Sequence, residues 1–305
     1  MRTLSRDLTS IAMSLLLAAC GAAATPSATP APTGTSAPTR VPSTDLLADI
    51  DVGGRTLHVV CVGPLDSGKP VVIFEAGLGG DLGQWSDVLK GVAPVTRACA
   101  YDRAGDGQSP VPAAPITTRD QVADVRALLA ALELPPPYVL VGYSLGGWNV
   151  MVHADEHPDD VVGVVMVEVR PPGLSEAWLA ALPPAASGEP EAVTANRDDL
   201  TVFEADPTLN PELIDLRASA AEAIATEGFG DTPLVVLVDA DDSGLTEGLP
   251  DDLAATFHQI AHDLDAELAA RSSSSRVVRV EGTSHDMPWQ KPDVIVDAIL
   301  ELLGT

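Results

Sequence analysis

Short unbroken apolar runs alternate along this chain with longer stretches in which apolar residues recur every three or four positions. Residues 71–75, 138–141, 161–167 and 234–238 form the first kind, and 95–101 and 276–280, which carry Arg97, Arg276 and Arg279, also read as strands. Runs of that length without polar alternation suit strands covered on both faces. Between them Val122, Val125, Leu128, Leu129 and Leu132 share one helical face, and residues 85–89, 145–157 and 251–270 are also helix-compatible. A closing helix is predicted from Pro292, a favourable first-turn residue, with Val294, Ile295, Ala298, Ile299, Leu302 and Leu303 facing inward. Thr118-Arg119-Asp120-Gln121 resembles a capping box ahead of the Val122 helix. Residues 47–52 and 55–62 flank Gly53-Gly54 and read as a hairpin. The alternation predicts an α/β fold, a mostly parallel central sheet with helices on both faces.

Two stretches interrupt this rhythm. Residues 171–230 are rich in Ala, Pro and acidic side chains, with helical patches at 174–182 and 212–225. Set between two core strands, the block reads as an inserted helical cap that shapes a substrate pocket. The other stretch is N-terminal. Arg2 and Arg6 precede an apolar segment at 11–19, too short to cross a bilayer as a helix. It ends in Leu17-Ala18-Ala19-Cys20-Gly21, which resembles the lipobox of bacterial lipoproteins. That likeness implies a signal peptide at 1–19 and a lipidated Cys20 as the mature N-terminus. The protein is then expected on the outer face of the bacterial cytoplasmic membrane or in the cell envelope. Residues 20–44 are dominated by Ala, Thr, Pro, Ser and Gly, with Arg40 as the only charge. Such a segment buries too little to offset its ordering entropy and reads as a disordered tether, leaving residues 45–305 as the folded domain.

Composition narrows the function further. With 305 residues and 46% hydrophobic content, the chain can bury a large core. Its formal net charge of −27 argues against a nucleic-acid partner, whose phosphates it would repel. An acidic solvated surface accounts for that charge without implying a cationic substrate.

The chemistry centres on Gly142-Tyr143-Ser144-Leu145-Gly146, where an apolar strand passes at once into a helix. A serine on so sharp a turn stands clear of the backbone, and glycines on both sides admit the close approach the turn requires. Two histidine pairs have helical metal-ligand spacing, His153 with His157 and His258 with His262. The run His-Ala-Asp-Glu-His lacks the zinc-protease order, and no metal site is expected. Trp148 and Trp289 lie close in sequence to Ser144 and to His285, and packing is the expected role of both.

Four stretches occur in the order found in the α/β-hydrolase family, and residues 45–305 resemble it. They are Phe74-Glu75-Ala76-Gly77-Leu78-Gly79, Tyr101-Asp102-Arg103-Ala104-Gly105-Asp106-Gly107-Gln108-Ser109, the Ser144 turn, and Gly282-Thr283-Ser284-His285. The second is similar to the family's Asp-x-Arg-Gly-x-Gly-x-Ser loop, with Ala104 in place of a glycine. The resemblance implies Ser144 as nucleophile, His285 as general base, and the backbone N–H groups of Leu78 and Leu145 as the oxyanion hole. Where the family often has His-Gly before the first of these donors, this chain has Ala76-Gly77, a change that spares a main-chain group. The acid partner of His285 stays open. Many relatives carry it in a Gly-x-x-Asp turn after the strand that follows the cap. Counting from Asp239, which replaces the glycine, selects Asp242, with Asp241 beside it. Some relatives place the acid one strand earlier, where Glu168 stands. The family's sheet order also sets the strands of Cys61 and Cys99 side by side, which implies a disulfide in an exported domain.

The expected activity is cofactor-free hydrolysis of small-molecule carboxylic esters through an acyl-enzyme. A serine nucleophile disfavours dehalogenase and epoxide-hydrolase chemistry, for which family members use aspartate. Peptidase and lactonase activities remain open. The alternative is a non-catalytic ligand-binding protein on the same fold.

Overall fold

The computed structural model describes residues 45–240 and 246–305. The expected signal peptide, the lipidated Cys20 and the tether lie outside the described residues, as do Asp241 and Asp242. Strands β1 (Leu46–Asp51) and β2 (Thr56–Val62) form the expected hairpin, and β2 continues antiparallel against β4 (Ala98–Tyr101). The remaining neighbours are parallel: β4 with β3 (Val71–Glu75), then β5 (Tyr138–Tyr143), β6 (Val161–Val167), β7 (Leu234–Asp239) and β8 (Ser275–Val280). The eight strands follow the order β1-β2-β4-β3-β5-β6-β7-β8. The prediction of a mostly parallel sheet is met because the central strands are apolar on both sides and need cover on both.

That cover comes from two sets of helices. Helix α1 (Ser86–Val92) and helix α9 (Pro292–Leu302) bury Val88, Leu89, Val92, Ile295 and Ile299 on one face. Helices α2 (Thr118–Ala131), α3 (Gly146–Glu156) and α6 (Leu216–Ile224) bury Val125, Leu128, Val150, Met151 and Ala223 on the other. The block at 171–230 is thus divided between two environments. Its α6 joins the main core, whereas α4 (Leu174–Ala181) and α5 (Glu191–Thr201) form a separate apolar cluster with α7 (Asp251–Ala269), which follows β7. There the indole of Trp178 stacks on Phe257, centroids 4.6 Å apart and planes within 9°.

Several boundaries differ from expectation for local reasons. The fourth strand begins at Ala98 rather than 95, because the N–H groups of Val95 and Thr96 still bond to Val92 at the end of α1. Helix α2 is capped by Thr117, whose N–H donates to the Asp120 carboxylate at 2.9 Å, so the box lies one residue earlier than predicted. Gln121, expected to close that box, is buried and turned inward. Helix α6 begins at Leu216 rather than 212. Asn210 folds the preceding turn back on itself through bonds to the Ile214 N–H and carbonyl, and Asp215 caps the helix.

Candidate active site

Ser144 follows β5 directly and holds a left-handed backbone, φ +49°, before α3 begins. That conformation costs a non-glycine residue energy, and tertiary packing must enforce it. Enforcement is visible at Gly146, where an added Cβ would lie 2.4 Å from the carbonyl oxygens of both Glu75 and Ala76. The Ser144 N–H donates to Val167 O at 3.1 Å, which carries the turn past the end of the sheet. Glu168 repeats the arrangement one strand over. It follows β6 with φ +46°, and its N–H donates to Leu237 O at 2.9 Å. Two strained non-glycine residues thus stand at the carboxyl ends of adjacent parallel strands.

His285, in the loop between β8 and helix α8 (Met287–Gln290), bridges them. Its Nε2 lies 3.1 Å from Ser144 Oγ, and its Nδ1 lies 3.6 Å from Glu168 Oε2. The other carboxylate oxygen, Oε1, accepts the Asp239 N–H, so the backbone of β7 fixes the rotation of the carboxylate. The Tyr143 ring packs against the imidazole, centroids 5.0 Å apart. Of the three acids considered from sequence, Glu168 faces His285, while Asp241 and Asp242 lie outside the described residues. Asp239 is the last residue of β7 and buried, not part of an open turn.

The Leu145 N–H sits at the start of α3, where unpaired amides and the helix dipole favour negative charge. Leu78 belongs to the loop after β3. Beneath that loop lies a buried polar cluster that sequence reasoning missed. Arg103 and Glu212 are both buried, with Nε to Oε2 at 2.7 Å. Burial alone pushes the Glu212 carboxyl up, but the Arg103 guanidinium and its bonds outweigh burial and hold it below the ordinary range. Asp106, 3.6 Å from Arg103, is pushed up to about 8, first by burial and then by the charge of Glu212. Glu75, also buried, accepts from the Tyr101 hydroxyl at 2.8 Å and from Asn149 Nδ2 at 3.0 Å. Charged residues inside apolar strands and loops were the available signal. Their partners lie too far along the chain for sequence spacing to reveal them.

Two cavities meet at Ser144. One, of about 270 Å³, is lined by Glu168, His285, Leu174, Trp178, Arg170 and Asp265 among others. The smaller, about 120 Å³, is lined by Leu78, Leu145, Trp148, Phe203 and Glu204 among others. Arg170 borders both, and its guanidinium donates to Glu204 Oε1 at 2.5 Å and Ser175 Oγ at 2.9 Å. Trp148 therefore does more than pack: it lines the smaller cavity and donates to Arg170 O at 2.7 Å. Trp289 is 54% exposed and edge-on to Tyr143. Away from the site, Cys61 lies opposite Cys99 in the β2–β4 register and the two sulfurs are bonded. Among the described residues no group of His, Cys, Asp and Glu is arranged to hold a metal ion. No helix among them is long and apolar enough to cross a membrane.

A family model described as the alpha/beta hydrolase fold matches residues 70–218, which include Leu78, Arg103, Ser144 and Glu168. The sn-1-specific diacylglycerol lipase ABHD11 of Mus musculus is 34% identical over 125 residues, 38% of this chain and 40% of that protein. The chain matches such curated relatives over only 16% to 41% of their own lengths. Among solved structures, the enol-lactonase from Burkholderia xenovorans LB400 aligns with TM-score 0.57 at 22% identity, over 85% of this chain and 100% of that one. Haloalkane dehalogenase DbeA from Bradyrhizobium elkani USDA94 aligns with TM-score 0.59 at 20% identity, over 85% and 98% of the two chains. At such identities the likeness is one of fold.

Proposed function

We propose that this chain, which has the α/β-hydrolase fold and matches that family's model over residues 70–218, hydrolyses carboxylic esters through an acyl-enzyme on Ser144. The observation that carries this reading is the 3.1 Å contact from Ser144 Oγ to His285 Nε2, with Glu168 behind the imidazole. In the first half-reaction His285 Nε2 takes the hydroxyl proton as Oγ bonds to the ester carbonyl carbon. The Leu78 and Leu145 N–H groups receive the oxyanion. Collapse breaks the bond to the alcohol oxygen, and His285 returns its proton to that leaving group. Water then takes the place of the alcohol and gives a proton to His285 as it attacks the acyl carbon; the bond to Oγ breaks, the acid leaves, and His285 returns the proton to Ser144. Glu168 stabilises the imidazolium at Nδ1 and holds its orientation. At 3.6 Å the contact is electrostatic in the resting enzyme and tightens as positive charge develops.

Two cavities meeting at the nucleophile suit a substrate whose acyl and alcohol portions extend on opposite sides of Ser144. The lipobox-like segment before Cys20 supports a lipid-anchored location, with substrate met outside the cytoplasm. The test is fluorophosphonate labelling of the purified protein together with hydrolysis of p-nitrophenyl esters of rising chain length. Labelling and hydrolysis are expected in wild type, and both are expected to vanish in a folded Ser144→Ala variant. Full hydrolysis by that variant refutes the assignment.

A further inference from the structure

We propose that Arg103, clamped by Glu212, is a positioning residue that aims and polarises the peptide unit presenting the Leu78 N–H to the oxyanion. The inference rests on the serine-hydrolase reading above and deepens it. The backbone groups of the loop after β3 are held as follows. The Gly77 N–H donates to Gln84 Oε1 at 3.2 Å, and the Gly79 N–H to Glu212 Oε1 at 3.0 Å. The Ala76 carbonyl accepts from Arg103 Nη1, and the Gly77 carbonyl accepts from Arg103 Nη2 at 2.7 Å and from the Gly80 N–H at 3.1 Å. The Leu78 N–H, between these anchored groups, has no hydrogen-bond partner among the described residues.

Gly77 C=O and Leu78 N–H belong to one peptide unit, which is trans. In a trans unit the two point in opposite directions. Held by the guanidinium, with the Gly80 N–H as a second and uncharged donor, the Gly77 carbonyl turns the Leu78 N–H the other way, and Leu78 borders the small cavity together with Ser144 and Leu145. The loop runs close to the nucleophile: a Cβ built on Gly77 would lie 3.3 Å from Ser144 Cβ. The charge on Arg103 does more than orient. A cationic donor on the carbonyl oxygen withdraws electron density from the amide and strengthens its N–H as a donor.

Glu212 makes this arrangement tolerable in the interior. A lone buried guanidinium is costly, and one facing a well-bonded carboxylate is not. Glu212 accepts from Arg103 Nε at 2.7 Å and Nη2 at 2.8 Å, and from Gln121 Nε2 at 2.9 Å, in addition to the Gly79 N–H. It thereby holds both the guanidinium and the residue that follows Leu78.

A purely structural Arg103 would satisfy carbonyls without affecting the transition state, and kinetics separate the two roles. Arg103→Gln and Arg103→Lys are compared with wild type per active site, counted by fluorophosphonate titration so that unfolded protein drops out. The readouts are p-nitrophenyl acetate hydrolysis and inhibition by a trifluoromethyl ketone, whose tetrahedral adduct carries the oxyanion. For Arg103→Gln we expect kcat to fall about 10- to 100-fold, somewhat less than outright loss of an oxyanion donor, with KM little changed. Inhibitor affinity should weaken by the same factor as kcat/KM, with Arg103→Lys falling between. Full kcat per site, or a loss of kcat with unchanged inhibitor affinity, overturns the inference alone. A wild type that takes no fluorophosphonate overturns the serine-hydrolase reading and this inference with it. One measurement needs no variant: in ¹⁵N-labelled wild type, the Leu78 amide proton should move downfield when the ketone adduct forms. An unmoved resonance also overturns the proposal.

Discussion

Glu168→Gln is the most informative single change in this protein. It preserves the shape of the side chain and an oxygen to accept the Asp239 N–H, and removes only the charge that faces His285. When Ser144 gives up its proton the imidazole becomes cationic, 3.6 Å from Glu168 Oε2. At that separation a unit pair is worth about 1 kcal/mol in water and about 5 kcal/mol at an effective dielectric of ~20. The Glu168 side chain is 11% exposed and that of His285 46%, so solvent screens part of the attraction. An intermediate value of about 2–3 kcal/mol follows, which lowers kcat roughly 30- to 150-fold. The interaction belongs to the charged state, so KM should change little. Steady-state p-nitrophenyl ester hydrolysis reads both constants, with Asp242→Asn alongside as the rival. A Glu168→Gln enzyme of wild-type kcat beside a crippled, folded Asp242→Asn enzyme would transfer the role to Asp242.

Three further outcomes are expected. Reduction, or a Cys61→Ser, Cys99→Ser pair, opens a link spanning 38 residues, and denaturant unfolding should show about 2–4 kcal/mol less stability; identical midpoints with and without reductant refute this. Burial, reinforced by Arg126 and His157, holds the His153 imidazole down at about 4, below the 6.5 of an exposed imidazole. Its neutral form thus contributes stability that is complete above about pH 6.5 and lost as pH falls through about 4, and the stability gap between wild type and His153→Asn should narrow across that window; a pH-independent gap refutes it. Finally, Cys20→Ser should abolish globomycin-sensitive processing and membrane retention, whereas wild-type protein found unprocessed in the soluble fraction sinks the anchor.

The sheet and its flanking helices could be read from periodicity, because every central strand is apolar on both sides and every covering helix on one. Ser144 and His285 were legible for a different reason: each occupies a short local pattern at a strand end. The acid was not. A carboxylate at a strand end acts through backbone direction, and the left-handed turn that aims Glu168 at His285 leaves no trace in residue type. Asp239 closes β7 and is buried, while Asp241 and Asp242 lie outside the described residues. Arg103 was visible only as part of a motif. Its partner Glu212 lies 109 residues away in the inserted block, so their pairing required the fold.

The roof over Ser144 is stitched from two lengths of chain separated by β7, with Trp178 of α4 seated on Phe257 of α7. For protein engineering this makes the roof a poor cassette. Transplanting residues 171–230 alone from a relative would strip Leu253 and Phe257 of their contacts and carry away Glu212, which braces the loop of Leu78. Losing the packing of one such aromatic costs about 3–5 kcal/mol, a large share of a typical domain's stability. Substrate range in this scaffold is therefore altered by point changes lining the two cavities, or by a paired graft that moves α4, α5 and the first half of α7 together and returns a glutamate to position 212.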